Sequence, residues 1–471
     1  MSSSFYITTT LPYVNASPHI GFGLEIITAD VIARYHQLLG EEVVFNTGVD
    51  EHGQKIFNQA LENNQDPQTY VDEYALKYQD LKDQLNLSYT DFIRTTNKDH
   101  KKAAQEFWKL CHKNGDIYKD SYTTKYCVGC ELEKTDSELE DGRCPLHPNR
   151  DIEHRQEENY FFKFSKYQAP LLKLYKENPG FIQPAGKMKE MVSFVEGGIK
   201  DFSISRLKEK MPWGVEVPDD KDHVMYVWFD ALINYISVLG WPKQLEKYEQ
   251  FWPGVQIAGK DNLRQQSAMW QAMLLSAGLD PSKKILINGF ISVDGQKMSK
   301  SLGNVISPQD MIDRYGLDAT RWLLLNLGPI GLDMDVSWDK FDTSYTATLS
   351  HGLGNLCSRV AKLAEQSKAT SSNTPLSLTK VFQESMDNYD VSSAVNWIND
   401  QVAKADVYLS QTKPWLLEGQ EKKEAVSTAV DQILEISHHL SVFMPSTAQT
   451  ISTHFSKSSI SSLSPLFPNL K

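Results

Sequence analysis

The chain has 471 residues, of which 41% are hydrophobic and 23% charged, as in a globular protein of roughly two to four domains. Its net charge of −12 excludes a protein coated in basic residues for general nucleic-acid binding, but permits local contacts to a folded RNA. The sequence has no apolar run of about 18 residues and no signal-peptide pattern near its start, so we expect a cytoplasmic protein without membrane contact. Five cysteines do not make a disulfide framework.

The first part of the chain predicts a parallel α/β fold. Residues 5–9 are β-branched and aromatic, which predicts a strand. Apolar residues then recur at steps of three and four from Ile20 to Leu38, which predicts a helix ending at Gly40. A second strand is predicted at 43–45. Strand, loop, helix and strand in this order open a parallel sheet, and a nucleotide would bind where the helix begins.

The pattern changes twice along the rest of the chain. After about residue 112, cysteines, charges, glycines and prolines replace the α/β pattern, which resumes near residue 223 with predicted strands at 255–258 and 285–291. Beyond about residue 345 only helical periodicity is left. We therefore expect a doubly wound parallel-sheet (Rossmann-like) domain at 1–112 and 223–292, an insertion at 113–222, a linker at 293–345 and an all-α domain at 346–471.

A histidine lies between the first strand and the first helix, in Pro18-His19-Ile20-Gly21-Phe22. A histidine at a helix N-terminus adds a hydrogen-bond donor to the free backbone N–H groups, which suits a phosphate. Gly21 would let a flat adenine ring approach the backbone closely. Taken alone, His-x-Gly more often caps a helix, but its position between strand and helix favours phosphate binding.

A second phosphate-binding candidate is the loop from Gly295 to Asn304, which holds Lys297 and Lys300 between glycines. Two ammonium groups on a mobile loop can close over a polyphosphate and neutralise charge that develops as a bond breaks. An isolated Lys-x-x-Lys is usually a solvated basic turn. Here the pentad Lys-Met-Ser-Lys-Ser is complete.

A third motif, Cys127-x2-Cys130-x13-Cys144-x2-His147, predicts a metal site inside the insertion. Two short pairs separated by a loop can surround a tetrahedral ion with three thiolates and one imidazole, and zinc prefers this set. Because four protein ligands close the shell, we expect one structural zinc. Unrelated thiols are the alternative.

These motifs resemble those of the class I aminoacyl-tRNA synthetases, and almost the whole chain resembles methionyl-tRNA synthetases. The lysine pentad is similar to one family signature. The His19 motif is similar to the His-Ile-Gly-His signature, with Phe22 in place of the second histidine. The other blocks that carry the resemblance are 10–15, 48–55, 200–206, 213–214 and 226–235.

The resemblance implies an ATP site that also takes Mg²⁺. Its residues would be His19, Gly21, Lys297, Ser299 and Lys300. Among them, His19 and the two lysines would be catalytic, because they face the phosphate charge that develops in the transition state.

The resemblance also implies a methionine pocket. Aromatic walls suit a soft, polarisable thioether, and Asp50 stands at the family position that binds the α-ammonium group. Asn262 and Gln266 replace an aliphatic residue and an imidazole of the family pattern; an amide can contact sulfur or order a water. The implied pocket residues are Thr10, Leu11, Tyr13, Asp50, Trp228, Ala231, Leu232, Tyr235, Asn262, Gln266 and Trp270.

In the helical domain, Asn355, Arg359, Pro414 and Trp415 resemble the family's anticodon-reading positions. An unpaired base can stack on Trp415 while Asn355 and Arg359 read its edge. Taken alone, a Pro-Trp pair is more often a loop with a buried indole.

The function implied is a two-step ligation. The carboxylate of methionine attacks the α-phosphate of ATP, giving methionyl-adenylate and pyrophosphate, and the methionyl group then passes to tRNA(Met). The carboxylate is already a nucleophile, so the first step needs only positioning and charge neutralisation. Two alternatives are another class I synthetase and a synthetase-like tRNA-binding protein without amino-acid activation. We expect a monomer.

Overall fold

The structure is a computed structural model, and it describes residues 3–127, 132–134, 139–145, 149, 151–298, 303–329 and 331–470. Its strands are β1 (Ser4–Thr8), β2 (Glu42–Val49), β3 (Asp91–Arg94), β4 (Ile117–Cys127), β5 (Leu132–Lys134), β6 (Glu153–Phe162), β7 (Ile182–Gln183), β8 (Phe202–Ser203), β9 (Ser205–Leu207), β10 (Glu216–Val217), β11 (Asp220–Met225), β12 (Val255–Gly259), β13 (Lys284–Asn288), β14 (Ile291–Val293), β15 (Gln296–Lys297) and β16 (Met334–Val336).

The helices of the first 325 residues are α1 (Ile20–Leu38), α2 (Gln54–Glu62), α3 (Pro67–Gln79), α4 (Leu81–Gln84), α5 (Lys98–Lys113), α6 (Gln168–Glu177), α7 (Ala185–Glu196), α8 (Val227–Leu232), α9 (Asn234–Ser237), α10 (Leu245–Phe251), α11 (Trp270–Ser276), α12 (Pro308–Tyr315) and α13 (Leu317–Leu325). Those that follow are α14 (Trp338–Ser344), α15 (Asn355–Ser367), α16 (Lys380–Asp387), α17 (Val391–Thr412), α18 (Gly419–Leu440) and α19 (Pro445–Phe455).

The α/β domain, which we call the catalytic half because it carries the predicted ATP and methionine sites, is centred on a parallel sheet of six strands in the order β3-β2-β1-β12-β13-β7. From β1 the chain winds outward to β2 and β3 on one side, and from β12 to β13 on the other. The strand order reverses between β1 and β12, and ligands of such sheets bind outside the carboxyl ends of the strands at that point. The predicted Rossmann-like fold is confirmed. The outermost strand, β7, comes from within the 113–222 range and pairs with β13.

Helix α1 lies at this reversal point and is largely buried. It spans the predicted residues, and 14 of its 19 residues are buried. The helix ends at Leu38, and Gly40 follows with φ of +81°, a conformation that glycine adopts without a Cβ penalty. Apolar residues of α1 belong to one cluster with β1, with α13 and with the C-terminal helices.

One predicted strand is wrong. Residues 285–291 do not form a single strand, because β13 ends at Asn288 and β14 begins in a separate sheet of three strands, β15-β14-β16. At Gly289 the backbone passes so close to the carbonyl oxygen of Leu332 that a Cβ atom there would clash. This close approach forces the chain out of the central sheet before the lysine loop.

Two further units complete the described chain. In the insertion, β5, β4, β6 and β8 form an antiparallel sheet. After residue 337 the described residues form helices without strands, so the predicted all-α domain is confirmed. No helix among the described residues is long and apolar enough to cross a membrane.

Candidate active site

All residues predicted for the methionine pocket except Trp270 line one small cavity. They follow the carboxyl ends of three parallel strands: the loop after β1, the residue after β2, and the turn after β12, with α8 and α9 as the remaining wall. Asn234 and Gln265, which the sequence did not single out, complete the lining. The residues shared by the prediction and the cavity are Thr10, Leu11, Tyr13, Asp50, Trp228, Ala231, Leu232, Tyr235, Asn262 and Gln266.

Trp270 lies behind the cavity rather than in its wall, which corrects its predicted role. The residue is fully buried, and its ring centroid is 6.0 Å from that of Tyr235 and 5.6 Å from that of Phe107. Trp270 therefore supports Tyr235 from the core side.

Asp50 supplies the carboxyl group of the cavity. The residue is 3% exposed, and its backbone is fixed by hydrogen bonds from its N–H to the Pro12 carbonyl (3.0 Å) and from the Val14 N–H to its carbonyl (3.2 Å). Burial, assisted by the charge of Asp230, raises the pKa of Asp50 well above its usual range. A buried carboxyl group in this state gains from a cationic partner such as an ammonium group.

Two imidazoles hold Asp230 in turn. One oxygen of Asp230 lies 2.6 Å from His52 Nδ1 and the other 2.9 Å from His100 Nε2. Burial alone would raise the pKa of Asp230, but the two histidines outweigh it and lower the pKa to about 2. Asp230 is therefore ionised, and Asp50 is the one of the two carboxyl groups that takes up a proton.

The far wall of the cavity is a turn of π-helix, Gln265–Met269. The side-chain N–H of Gln266 donates to the Tyr235 hydroxyl. The Oε1 atoms of Gln265 and Gln266 are buried and have no hydrogen-bond partner among the described residues. π-turns inside helices are frequent at functional sites, and this one brings two consecutive amides to the cavity.

His19 caps α1, the helix that follows the cavity residues Thr10, Leu11 and Tyr13 in the chain. Its Nδ1 accepts a hydrogen bond from the Gly21 N–H at 3.0 Å, so the proton of the neutral ring is on Nε2, a donor for a ligand oxygen. Desolvation by surrounding protein atoms lowers the pKa of His19, which keeps the ring neutral at pH 7. A Cβ on residue 21 would lie 2.8 Å from His19 Cε1, and only glycine leaves this space open.

Phe22 provides no phosphate donor. Its ring packs edge-on against Tyr78, with centroids 5.5 Å apart, and only 9% of the residue is exposed. The position that carries the second histidine in the family pattern is part of the core here.

Glu25, which the sequence did not single out, is a buried carboxyl group bonded to the cavity residue Thr10. The residue is 6% exposed and accepts hydrogen bonds from the backbone N–H and hydroxyl of Thr10, at 2.8 and 2.6 Å. Burial raises its pKa to about 7. A charged residue between the apolar Leu24 and Ile26 of a buried helix was the available signal.

The start of the lysine loop reaches this site. Met298 Cε lies 3.8 Å from the position that a Cβ on Gly21 would occupy, and the Ile20 N–H donates to the Ile306 carbonyl at 3.0 Å. Lys297 is exposed, with Nζ 5.4 Å from the centroid of the Phe290 ring. Ser299 and Lys300 lie outside the described residues.

The chain as a whole matches known proteins. Residues 5–151 and 133–361 match the family described as tRNA synthetases class I (M), and residues 377–471 match the anticodon-binding domain of tRNA ligase. The chain belongs to the methionyl group of class I tRNA synthetases.

Individual relatives cover nearly all of the chain. It is 38% identical over 470 residues to the methionine–tRNA ligase of Thermotoga maritima (95% of this chain, 74% of the relative). It is 37% identical over 482 residues to that of Streptomyces coelicolor (96% and 89%). The methionyl-tRNA synthetase of Mycobacterium tuberculosis in complex with methionyl-adenylate superposes with a TM-score of 0.87 at 30% identity, covering 99% of this chain and 100% of that one.

For this member of the methionyl-tRNA synthetase family, the predicted zinc ligands are described only in part. Cys127 and Cys144 are buried, each 1% exposed, whereas Cys130 and His147 lie outside the described residues. Among the described residues no three candidate metal ligands come together.

The predicted anticodon positions lie at the start of α15 and in the turn after α17. Asn355 is exposed, and Arg359 forms an ion pair with Asp406. Pro414 is buried, but Trp415 is 46% exposed. An exposed indole is available for stacking, unlike the buried one that an isolated Pro-Trp pair suggests.

Proposed function

We propose that this chain is a methionine–tRNA ligase, which activates methionine with ATP to methionyl-adenylate and transfers the methionyl group to the 3′ end of tRNA(Met). One observation carries the proposal: the predicted methionine-binding residues other than Trp270 converge on a single cavity at the carboxyl ends of β1, β2 and β12. Aromatic and aliphatic walls suit the thioether side chain, and Asp50 suits the α-ammonium group.

In the first step, one set of residues binds methionine and another neutralises charge on the phosphates. Asp50 orients methionine so that its carboxylate faces the α-phosphate. His19 donates from Nε2 to a phosphate oxygen, while Lys297 and Lys300 neutralise the charge that grows as pyrophosphate leaves. Mg²⁺ bound with ATP shares that neutralisation. Gly21 and Ser299 complete the proposed ATP site.

The test is ATP–pyrophosphate exchange by the purified full-length chain. Exchange should depend on methionine, with leucine, isoleucine and cysteine as controls. Exchange with one of those controls instead would identify another class I synthetase. No exchange with any amino acid would leave the alternative of a tRNA-binding protein without amino-acid activation. The observation in favour of that alternative is the packed Phe22 ring, which provides no phosphate donor.

The second step needs tRNA, and the exposed indole of Trp415 supports the proposed anticodon site. A base stacked there would be read by Asn355 and Arg359, with Pro414 shaping the turn. Trp415→Ala should raise the KM for tRNA and leave methionine-dependent exchange unchanged.

Two buried cysteines and the S3N donor set support one structural zinc held by Cys127, Cys130, Cys144 and His147. Zinc would cross-link the insertion without taking part in the reaction. We also propose that the protein is a cytoplasmic monomer with domain limits at 1–112, 113–222, 223–292, 293–345 and 346–471.

A further inference from the structure

The lysine hairpin, which we define as residues 290–298, is held by a strand far along the chain. β14 pairs in parallel with β16, so that Ser292 lies opposite Asp335. β14 and β15 are joined by the turn Asp294-Gly295, with φ of +52° and +74°. Because the chain leaves the central sheet at Gly289, β16 rather than that sheet determines where the hairpin lies.

Asp335 holds the turn of the hairpin. Its Oδ1 accepts hydrogen bonds from the Gly295 N–H at 2.7 Å and from the Ser292 hydroxyl at 2.8 Å. Its Oδ2 lies 2.8 Å from Lys340 Nζ. Lys340, the Gly295 N–H and the Ser292 hydroxyl together lower the pKa of Asp335 to about 2, so the carboxylate is ionised at any working pH.

Asp333, two residues earlier, holds the other end of the hairpin. Its Oδ1 accepts from the Phe290 N–H at 3.0 Å, and its Oδ2 pairs with Lys260. The Lys260 ammonium also lies 4.1 Å from the centroid of the Phe290 ring, the ring that Lys297 approaches. Two carboxylates of one segment therefore fix both the first residue and the turn of the hairpin.

The far end of the loop is fixed as well. The Ile306 carbonyl accepts from the Ile20 N–H, one residue after His19. Because Asp335 fixes the turn between β14 and β15, it determines the position of Lys297 in β15. Reacting groups misplaced by about 1 Å can cost on the order of a hundredfold in rate.

We propose that Asp333 and Asp335 are positioning residues for adenylate formation: they hold the lysine hairpin in register with His19. This inference rests on the proposed function. Neither carboxylate contacts the substrate, and both act through the lysines of the loop.

The first experiment compares Asp335→Ala with two matched variants in methionine-dependent exchange. Asp335→Ala should lower kcat on the order of tenfold, with the KM for methionine within about twofold. Asp335→Asn keeps an acceptor oxygen for Gly295 and should retain most of the activity. Asp339→Ala removes an exposed acid four residues further on and should be neutral. Full activity of Asp335→Ala would overturn the inference.

The second experiment separates positioning from general stability. Adenylate formation is measured in single turnover for Asp335→Ala alone and in a Lys297→Ala, Lys300→Ala background. If Asp335 acts through the lysines, its substitution should cost little more in that background. A repeated tenfold loss would overturn the inference. Wild-type protein without exchange would instead refute the proposed function, so the two failures are distinguishable.

Discussion

Glu25 is a buried carboxyl group whose ionisation should affect stability. Its pKa of about 7 in the folded protein is higher than that of a glutamate in an unfolded chain, about 4.3. The neutral form is therefore the one that the fold favours. The stability that neutral Glu25 contributes is fully present below the pKa of the unfolded state. It is lost as the pH rises through the folded-state pKa of about 7.

Glu25→Gln should abolish this pH dependence, because glutamine keeps an acceptor oxygen for Thr10 and never ionises. The variant should match the wild type at pH 4, below the unfolded pKa, and exceed it at pH 8 by up to about 4 kcal/mol, at about 1.4 kcal/mol for each of the roughly 2.7 pKa units. Melting temperatures of both proteins across this range provide the measurement. A constant difference between the two curves would contradict the assignment to Glu25.

Gln266 should act on methionine through Tyr235. Gln266→Leu removes the hydrogen bond to the Tyr235 hydroxyl, and a net loss of about 0.5–1.5 kcal/mol predicts a roughly 2- to 13-fold higher KM for methionine. The KM for ATP should be unchanged. In a Tyr235→Phe background the same substitution should have little further effect; equal effects in both backgrounds would show that Gln266 acts elsewhere.

Among the secondary-structure elements, the sequence predicted those that are determined by the spacing of their own apolar residues. β1 and α1 were predictable because their apolar spacing is strong and their packing agrees with it. The break at Gly289 was not, because it results from the close approach of Leu332, some forty residues away in sequence. The pairing of β7 with β13 could not be predicted either, because these strands are also far apart in sequence.

The candidate site shows the same division. Its residues were predictable because they resemble family blocks, and their convergence needed only the parallel order of β1, β2 and β12. Trp270 was misplaced because sequence cannot tell an aromatic wall from the aromatic layer behind it. Gln265 was missed because the π-turn that brings two consecutive residues to the cavity has no pattern of its own.

The insertion provides the prediction about metal. Purified protein should contain about one zinc per chain, and Cys127→Ala should lose it, because three ligands bind far more weakly than a closed tetrahedral shell. Cys357→Ala, a buried thiol of the helical domain, is the matched control and should keep the metal. Elemental analysis measures both. Fully active protein without zinc would refute the motif assignment.

Across the whole molecule, α1 joins the catalytic half to the helical domain. The fully buried guanidinium of Arg321 lies 2.7 Å from Asp30 of α1 and donates to the carbonyl of Phe443 at 2.7 Å and of Leu85 at 2.9 Å. Further along α1, the Tyr35 hydroxyl donates to an Asp387 oxygen at 2.6 Å.

The two contacts should differ in their effect on stability. Arg321→Met leaves buried Asp30 with fewer partners and should cost about 3–5 kcal/mol, as for other broken buried pairs. Tyr35→Phe removes one partly buried hydrogen bond and should cost about 1 kcal/mol. Thermal unfolding monitored by limited proteolysis measures the loss of stability in each variant. Equal losses would contradict the expectation that the Arg321 contact contributes more than the Tyr35 contact.

The departure of the chain from the central sheet at Gly289 has a consequence for recombination. The hairpin that carries Lys297 belongs structurally with β16 and α14, although β13 precedes it directly in the sequence. A crossover between residues 303 and 329 would join the hairpin of one parent to the carboxylates of another. Functional chimaeras of related enzymes should therefore inherit residues 290–340 as one block from a single parent.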